Sequence, residues 1–425
     1  MSADTPLPDY ERPALYIHVP FCSSFCAYCD FCSVLTPSSG GPERYLARLE
    51  EDLDALWKGE ESRLISTVFL GGGTPSALGS RGLGGVLEAL ARRVQALEEI
   101  SVELNPESLD DDLIDTLLSF NRSARSRGVL APDGRLRLSL GVQSLCDDAR
   151  QAVSRAGSAA MVRQRLAALF SKLPAAGGGV EVSADLMAGL PHQPVFSLVS
   201  DIEELSSLGM AHFSLYALTL EEGTPLARDV AAGRCRIGDD DAIAEQLEAA
   251  RGALSGAGFC QYEVSNYARP GCECRHNLRY WHMADWLALG PSAVGTIFDR
   301  ASGTALRTTQ TADVGAWLEG AQEALSERVG RRDALFEFIM MGFRLACGPD
   351  MREFRRRFGK PLEAFIPRSL DAWASRGLLE RRAAGPFSAA LRPEGLMFLN
   401  RFLVDCLNEL EGPGVPPAGS PAGEG

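Results

Sequence analysis

Apolar residues along the chain follow two alternating rhythms. Short apolar runs at 14–19, 65–70, 100–104, 135–142, 180–187 and 212–218 read as buried strands. Between them, apolar positions recur at helical spacing. In 43–59, Leu46, Leu49, Leu53 and Leu56 share one face, and similar patterns cover 78–97, 107–120, 146–154, 160–173, 196–208 and 240–257. Strand and helix alternating at this pitch predict an α/β domain, a parallel sheet with helices outside it. The six units are fewer than the eight of a closed barrel. The stretch 121–134, with Arg122, Arg125 and Arg127, reads as a solvated loop.

Beyond residue 296 the pattern changes. Two apolar helices are predicted at 332–347 and 351–365, then a small β-wing from 378–381 and 391–396, then a last helix at 393–410. Residues 1–12 are polar with Pro6, Pro8 and little to bury, which predicts a loose lead-in. The Pro/Gly/Ser-rich tail 412–425 predicts disorder. The expected organisation is a barrel over 13–300 and a small α+β domain over 301–411.

Composition narrows this little. The 425 residues are 45% hydrophobic and 23% charged, ordinary for a globular protein. A net charge of −14 argues against broad binding to nucleic acid or anionic membranes. No apolar run approaches a membrane span, and no secretion signal opens the chain. Eleven cysteines in that setting predict ligands and buried thiols in a reducing cytoplasm. Cys146, Cys235, Cys260, Cys347 and Cys406 are scattered singly and read as core.

The chemistry concentrates after the first strand. Cys22, Cys26 and Cys29 form C-x3-C-x2-C in a loop at a strand end, where α/β domains place their sites. Three close thiolates without a clear fourth suggest a four-iron cluster with one iron left open. The alternatives are a zinc knuckle or buried free thiols. Zinc usually needs a second Cys/His pair at a distance, which is not cleanly present. The second strand ends in Gly71-Gly72-Gly73-Thr74-Pro75-Ser76, where glycines let backbone approach a ligand and free amides to bind it. Polar residues recur at further strand ends, Glu103, Gln143 and Asp185, and three on one rim read as a ligand ring. A second dense stretch, 261–295, carries His276-Asn277-Leu278-Arg279-Tyr280-Trp281. An imidazole can ligate haem iron and aromatic faces can cover a porphyrin, or these residues can pack the barrel edge. Cys272, Cys274 and His276 form C-x-C-x-H, which differs from the C-x-x-C-H of c-type haem attachment and could hold another metal.

The cysteine stretch LYIHVPFCSSFCAYCDF resembles the motif of the radical S-adenosylmethionine superfamily, and more narrowly its HemN and HemW branch. The resemblance spans roughly 14–410 and implies a partial (β/α)6 barrel with a C-terminal winged-helix-like domain. It implies that Cys22, Cys26 and Cys29 hold a [4Fe-4S] cluster whose open iron chelates S-adenosylmethionine, giving a 5′-deoxyadenosyl radical on reduction. By position it implies S-adenosylmethionine contacts at Tyr16, Tyr28, Gly72, Gly73, Thr74, Glu103, Gln143, Arg155, Asp185 and Ala217. Val294, where the HemW-like pattern commonly carries His, would line the adenine pocket. Gly157 is another departure, since the family tends to follow Arg155 with His at that place.

HNxxYW is a signature of the HemW branch, so haem contact is expected at His276, Tyr280 and Trp281. Two functions follow: a haem chaperone that hands haem to an acceptor protein, or an oxygen-independent coproporphyrinogen III oxidase. The chaperone is favoured by HNxxYW, by the short lead before Tyr16, and by Phe31, where the oxidase has an extra cysteine; Cys32 comes one place later. A radical enzyme acting on a non-porphyrin substrate is a third. An electron donor is expected in each case, no nucleic-acid partner, and membrane association only transiently, through the acceptor.

Overall fold

The computed structural model describes residues 7–36, 40–58, 64–382 and 385–412. Six strands, β1 (Ala14–Val19), β2 (Thr67–Gly72), β3 (Leu97–Leu104), β4 (Leu130–Gln143), β5 (Val180–Ala188) and β6 (His212–Ala217), lie side by side in chain order, all parallel. The helices Gly41–Leu56, Gly79–Ala91, Asp111–Ser126, Ala159–Lys172, Val195–Leu208 and Asp240–Gly256 follow them in turn. This is the parallel sheet that the alternation predicts, in the form of the partial (β/α)6 barrel that the resemblance implies.

The strand sequences explain the two faces of this sheet. In β3, Ile100, Val102 and Leu104 join the main apolar core, while Glu99, Ser101 and Glu103 alternate with them. In β4, Leu136, Leu138 and Leu140 alternate in the same way with Arg135, Arg137 and Ser139. Side chains on a strand point alternately to its two faces. One face therefore packs on the helices, and the other makes a polar lumen.

The sheet continues past both ends of this arc. Strands β7 (Cys260–Gln261) and β8 (Asn266–Ala268) extend it antiparallel from β6. Strand β9 (Trp286–Leu289) lies parallel to β1 and leads into an antiparallel meander of β10 (Val294–Asp299), β11 (Thr304–Thr309) and β12 (Leu325–Val329). The order is linear, so the barrel stays open. The expected division at 300/301 falls in the turn joining β10 to β11, two paired strands of one sheet.

Three local expectations change. The stretch 121–134 is not a loop: the helix runs to Ser126 and β4 starts at Leu130, with Asn121 and Ala124 buried. Its arginines tie neighbouring elements, Arg127 to Glu88 at 2.7 Å and Arg125 to the Gly134 carbonyl at 2.7 Å. The lead-in is held rather than loose over residues 7–12. Arg12 donates to the carbonyls of Ile65 and Ala96, Arg279 to that of Asp9, and the Tyr10 hydroxyl to Asp350. The predicted helix at 351–365 stops at Phe358, where Gly359 turns left-handed. The tail from 413 and residues 1–6 lie outside the described residues.

A second apolar core holds the C-terminal region. It gathers Phe338, Phe343, Phe354, Leu370, Trp373 and Phe402 from four helices beside the hairpin Leu379–Arg381 and Ala389–Leu391. No helix among the described residues is long and apolar enough to cross a membrane.

Candidate functional site

The carboxyl ends of β2 to β6, with the cysteine loop that follows β1, surround a cavity of about 320 Å³. Cys22, Cys26 and Cys29 line it together with Tyr28, Gly72, Gly73, Thr74, Glu103, Gln143, Arg155 and Asp185. The fold thus brings eleven of the expected residues to one place, from four strands, the segments that follow β2 and β4, and the cysteine loop.

The cysteine loop is pinned from behind. The Tyr16 hydroxyl lies 3.1 Å from His18 Nδ1, and His18 Nε2 lies 2.8 Å from the Cys32 carbonyl. A carbonyl only accepts, so Nε2 carries the proton and Nδ1 accepts from Tyr16. Burial holds the His18 pKa down, which keeps the ring neutral in that role. Tyr16 therefore stands beneath the site and supports the loop. His18 is a residue the sequence reading missed, although it lies within the quoted motif.

The glycines serve close approach. A Cβ on Gly72 would stand 2.6 Å from the His18 ring, and one on Gly73 would stand 2.8 Å from the Phe21 carbonyl oxygen. Their amides are not free, contrary to the expectation. Gly72 N–H donates to Glu103 at 3.2 Å and Gly73 N–H to the Val19 carbonyl at 2.9 Å.

Arg155 is well anchored. Its guanidinium donates to Asn105 Oδ1 at 2.6 Å and to the Gly141 carbonyl, and Nη1 reaches Cys26 Sγ at 3.5 Å. Asn105 in turn donates to Thr74 at 3.0 Å, and Thr74 lies 3.6 Å from Cys22 Sγ. Gln143 sits at φ 66°, left-handed for a residue with a side chain, where the β4 register slips.

The residues fit a cluster. All three thiols are free and face one cavity, and the Arg155 guanidinium reaches Cys26. Burial pushes the Cys22 and Cys29 thiols up, so a bound cation is what would make them thiolates. Among the described residues no three His, Cys, Asp or Glu side chains converge on a single ion position. That applies also to Cys272, Cys274 and His276.

Two carboxyls share the lumen. Burial and the neighbouring Asp185 push Glu103 up to about 8, against the Gly72 amide, which lowers it. Burial also raises Asp185, opposed by Arg137 and by the hydroxyls of Ser214 and Ser139. Between the ordinary value of 4.5 and about 8 only the folded chain holds the Glu103 proton, so its contribution to stability falls as pH rises through that window. Glu103→Gln is expected to stabilise the ligand-free chain at pH 8 more than at pH 6, measured by urea unfolding at both. An equal effect at the two values would refute the shift.

Several expected residues lie elsewhere. Ala217 does not line the cavity; its neighbour Tyr216 does. Val294 opens β10, 37% exposed, with its carbonyl accepting from Trp286 Nε1 at 2.8 Å. His276 is fully buried at the amino-terminal end of the strands, the opposite end from the cysteines. One ring nitrogen lies 2.9 Å from Thr67 Oγ1 and the other 2.8 Å from the Tyr280 hydroxyl. Burial pushes its pKa down to about 3. Trp281 lies under the Arg344 guanidinium, 4.5 Å from the ring centre. This geometry leaves neither nitrogen of His276 open to a metal. Of the scattered cysteines, Cys406 is buried as expected, but Cys260 is exposed.

The comparisons with known proteins agree with this architecture. The family model described as the radical SAM superfamily matches residues 16–205, and that of the HemN C-terminal domain matches 329–385. The chain belongs to the radical S-adenosylmethionine superfamily, whose members imply a [4Fe-4S] cluster and S-adenosylmethionine. Within it, the chain belongs to the HemN/HemW family, on its HemW-like side. It is 38% identical to "Heme chaperone HemW" of Mycobacterium tuberculosis over 67% of this chain and 69% of that one. It is 30% identical to the Haemophilus influenzae protein of the same name, over 95% of this chain and 100% of that one. Among solved structures, coproporphyrinogen III oxidase (HemN) from Escherichia coli matches with a TM-score of 0.73 at 19% identity, covering 93% of this chain and 90% of that chain.

Proposed function

We propose that this chain is a HemW-like haem chaperone, which binds haem, a [4Fe-4S] cluster and S-adenosylmethionine and delivers haem to an acceptor protein. The observation that carries the reading is the near end-to-end match to a relative named as a haem chaperone, over 95% of this chain and all of the other. Cys22, Cys26 and Cys29 are the proposed cluster ligands. Tyr28, Gly72, Gly73, Thr74, Glu103, Gln143, Arg155 and Asp185 are the proposed S-adenosylmethionine contacts.

When bound, the cluster supplies single electrons and S-adenosylmethionine an alkyl sulfonium that such an electron can cleave. The chain's own residues supply placement. Arg155 stands against the Cys26 sulfur, where its charge would balance a cluster-bound thiolate. Thr74 and Asn105 fix that guanidinium to the glycine turn.

An anaerobic assay tests the reading. Reconstituted protein with reductant, S-adenosylmethionine and coproporphyrinogen III is expected to yield no protoporphyrin. The same preparation loaded with haem is expected to pass it to an apo-haemoprotein. Decarboxylated porphyrin in the first assay would establish the oxidase instead.

A further inference from the structure

A buried carboxylate stands beside the cysteine site and is not used by it. Asn105, Pro106 and Glu107 follow β3, and the Ser108 hydroxyl ties their turn by donating to the Asn105 carbonyl at 2.9 Å. The proline ring restricts the backbone between its two polar neighbours. Both of them reach Arg155. Asn105 Oδ1 accepts from Nη2 at 2.6 Å, and Glu107 Oε2 lies 3.9 Å from the same nitrogen. The other terminal nitrogen, Nη1, meets Cys26 Sγ at 3.5 Å.

Glu107 is oddly placed for a structural acid. Both its oxygens are buried, and neither has a hydrogen-bond partner among the described residues. It does not line the cavity, so it is not set to touch a ligand there. Its one ion-pair partner among the described residues is Arg155. Arg155 does not depend on that pair for its placement, because Asn105 and the Gly141 carbonyl hold it by hydrogen bonds. Burying a carboxylate without hydrogen bonds is costly. What Glu107 contributes here is charge.

That charge acts on the place the three cysteines enclose. A cationic donor on a cluster sulfur favours the reduced state, which carries one more negative charge. Arg155 alone would therefore raise the reduction potential. A buried carboxylate on the same guanidinium opposes it, with little screening by salt. Cleaving a sulfonium takes an electron of low potential, so the opposition keeps the reduced cluster a strong reductant. We infer that Glu107 and Arg155 form a tuning pair for the iron–sulfur cluster, in which Glu107 offsets the guanidinium and holds the reduction potential low. The inference rests on the assignment of Cys22, Cys26 and Cys29 as cluster ligands, and applies to chaperone and oxidase alike.

The test is an EPR-monitored redox titration of anaerobically reconstituted protein, without S-adenosylmethionine. Dithionite is the one-electron reductant, and the reduced cluster, with its unpaired electron, gives the signal. Glu107→Gln is expected to favour the reduced form about tenfold, a rise of about 59 mV for one electron, with iron content unchanged. Glu107→Asp keeps the charge and is expected to stay closer to the wild type than to Glu107→Gln. Arg155→Met is expected to lower the midpoint. These opposite signs separate charge from support: if Glu107 merely held Arg155 in place, both losses would lower the potential. An unchanged or lowered midpoint in a fully loaded Glu107→Gln protein would overturn the inference and leave the ligand assignment standing. A midpoint in Arg155→Met at or above that of the wild type would overturn it equally. A wild type that takes up no four-iron cluster would overturn the ligand assignment, and this inference with it.

Discussion

Cys22→Ala, Cys26→Ala and Cys29→Ala are each expected to abolish the four-iron cluster and any cleavage of S-adenosylmethionine. Each cysteine would bind a different iron, and no fourth cysteine among the described residues lines the cavity to take over. Cys32 is the nearest spare thiol in sequence, but its Sγ faces the Ala312 carbonyl at 3.4 Å and it does not line the cavity. The measurement is iron and sulfide content with visible absorbance after anaerobic reconstitution. Circular dichroism shows whether the chain still folds, which is expected because the main core is built from other residues. A variant that keeps a full cluster would remove that cysteine from the ligand set. Cys32→Ala is expected to leave iron content unchanged.

Much of the site was legible because its residues are local in sequence. The cysteine loop and the glycine turn each carry several site residues in one stretch, next to a strand that can be recognised from its apolar run. Residues brought in singly from later strands were harder. Glu103, Gln143 and Asp185 do reach the cavity, because each lies in the carboxyl-terminal half of a strand of the same parallel sheet. Ala217 misses by one position, since a period of two puts Tyr216 on the lumen face instead. Val294 depends on how a meander outside the barrel is placed, and nothing local in the sequence specifies that.

The fold divides along the same line. The six barrel strands are buried runs between amphipathic helices and announce themselves. Strands β10 to β12 are half-exposed and rich in Thr, Arg and Glu, so their apolar rhythm is faint. The alternation of Glu99, Ser101 and Glu103, and of Arg135, Arg137 and Ser139, was a further signal present in the sequence. Charged residues at every second position of otherwise buried strands mark a polar lumen, since a buried charge needs a partner across the barrel.

That lumen explains why HNxxYW belongs to the frame of the fold. Glu99 has no solvent exposure and accepts from Arg135 at 3.0 Å, from the amides of Arg275 and His276 at 3.0 and 3.1 Å, and from Cys274 Sγ at 3.3 Å. It fastens the amino end of the helix Arg275–Trp281 to the floor of the barrel. Burial opposes its charge, yet Arg135, Arg137 and the two amides outweigh burial and hold the pKa down to about 2. Glu99→Ala would leave these donors buried without an acceptor, although Arg135 keeps Glu181 at 2.8 Å. Removing one partner of a buried ionic network costs about 3–5 kcal/mol, and that loss is expected in urea unfolding at neutral pH. The folded pKa lies below the ordinary 4.5, so the stabilisation is whole above that value and is lost as pH falls towards 2. The difference between wild type and Glu99→Ala should therefore shrink in acid. His276→Ala is expected to destabilise in the same assay by about 1–3 kcal/mol, through the unpaired Thr67 and Tyr280 hydroxyls. If His276→Ala left stability untouched and removed haem binding, the histidine would be a ligand after all, and the buried position would have to open in solution.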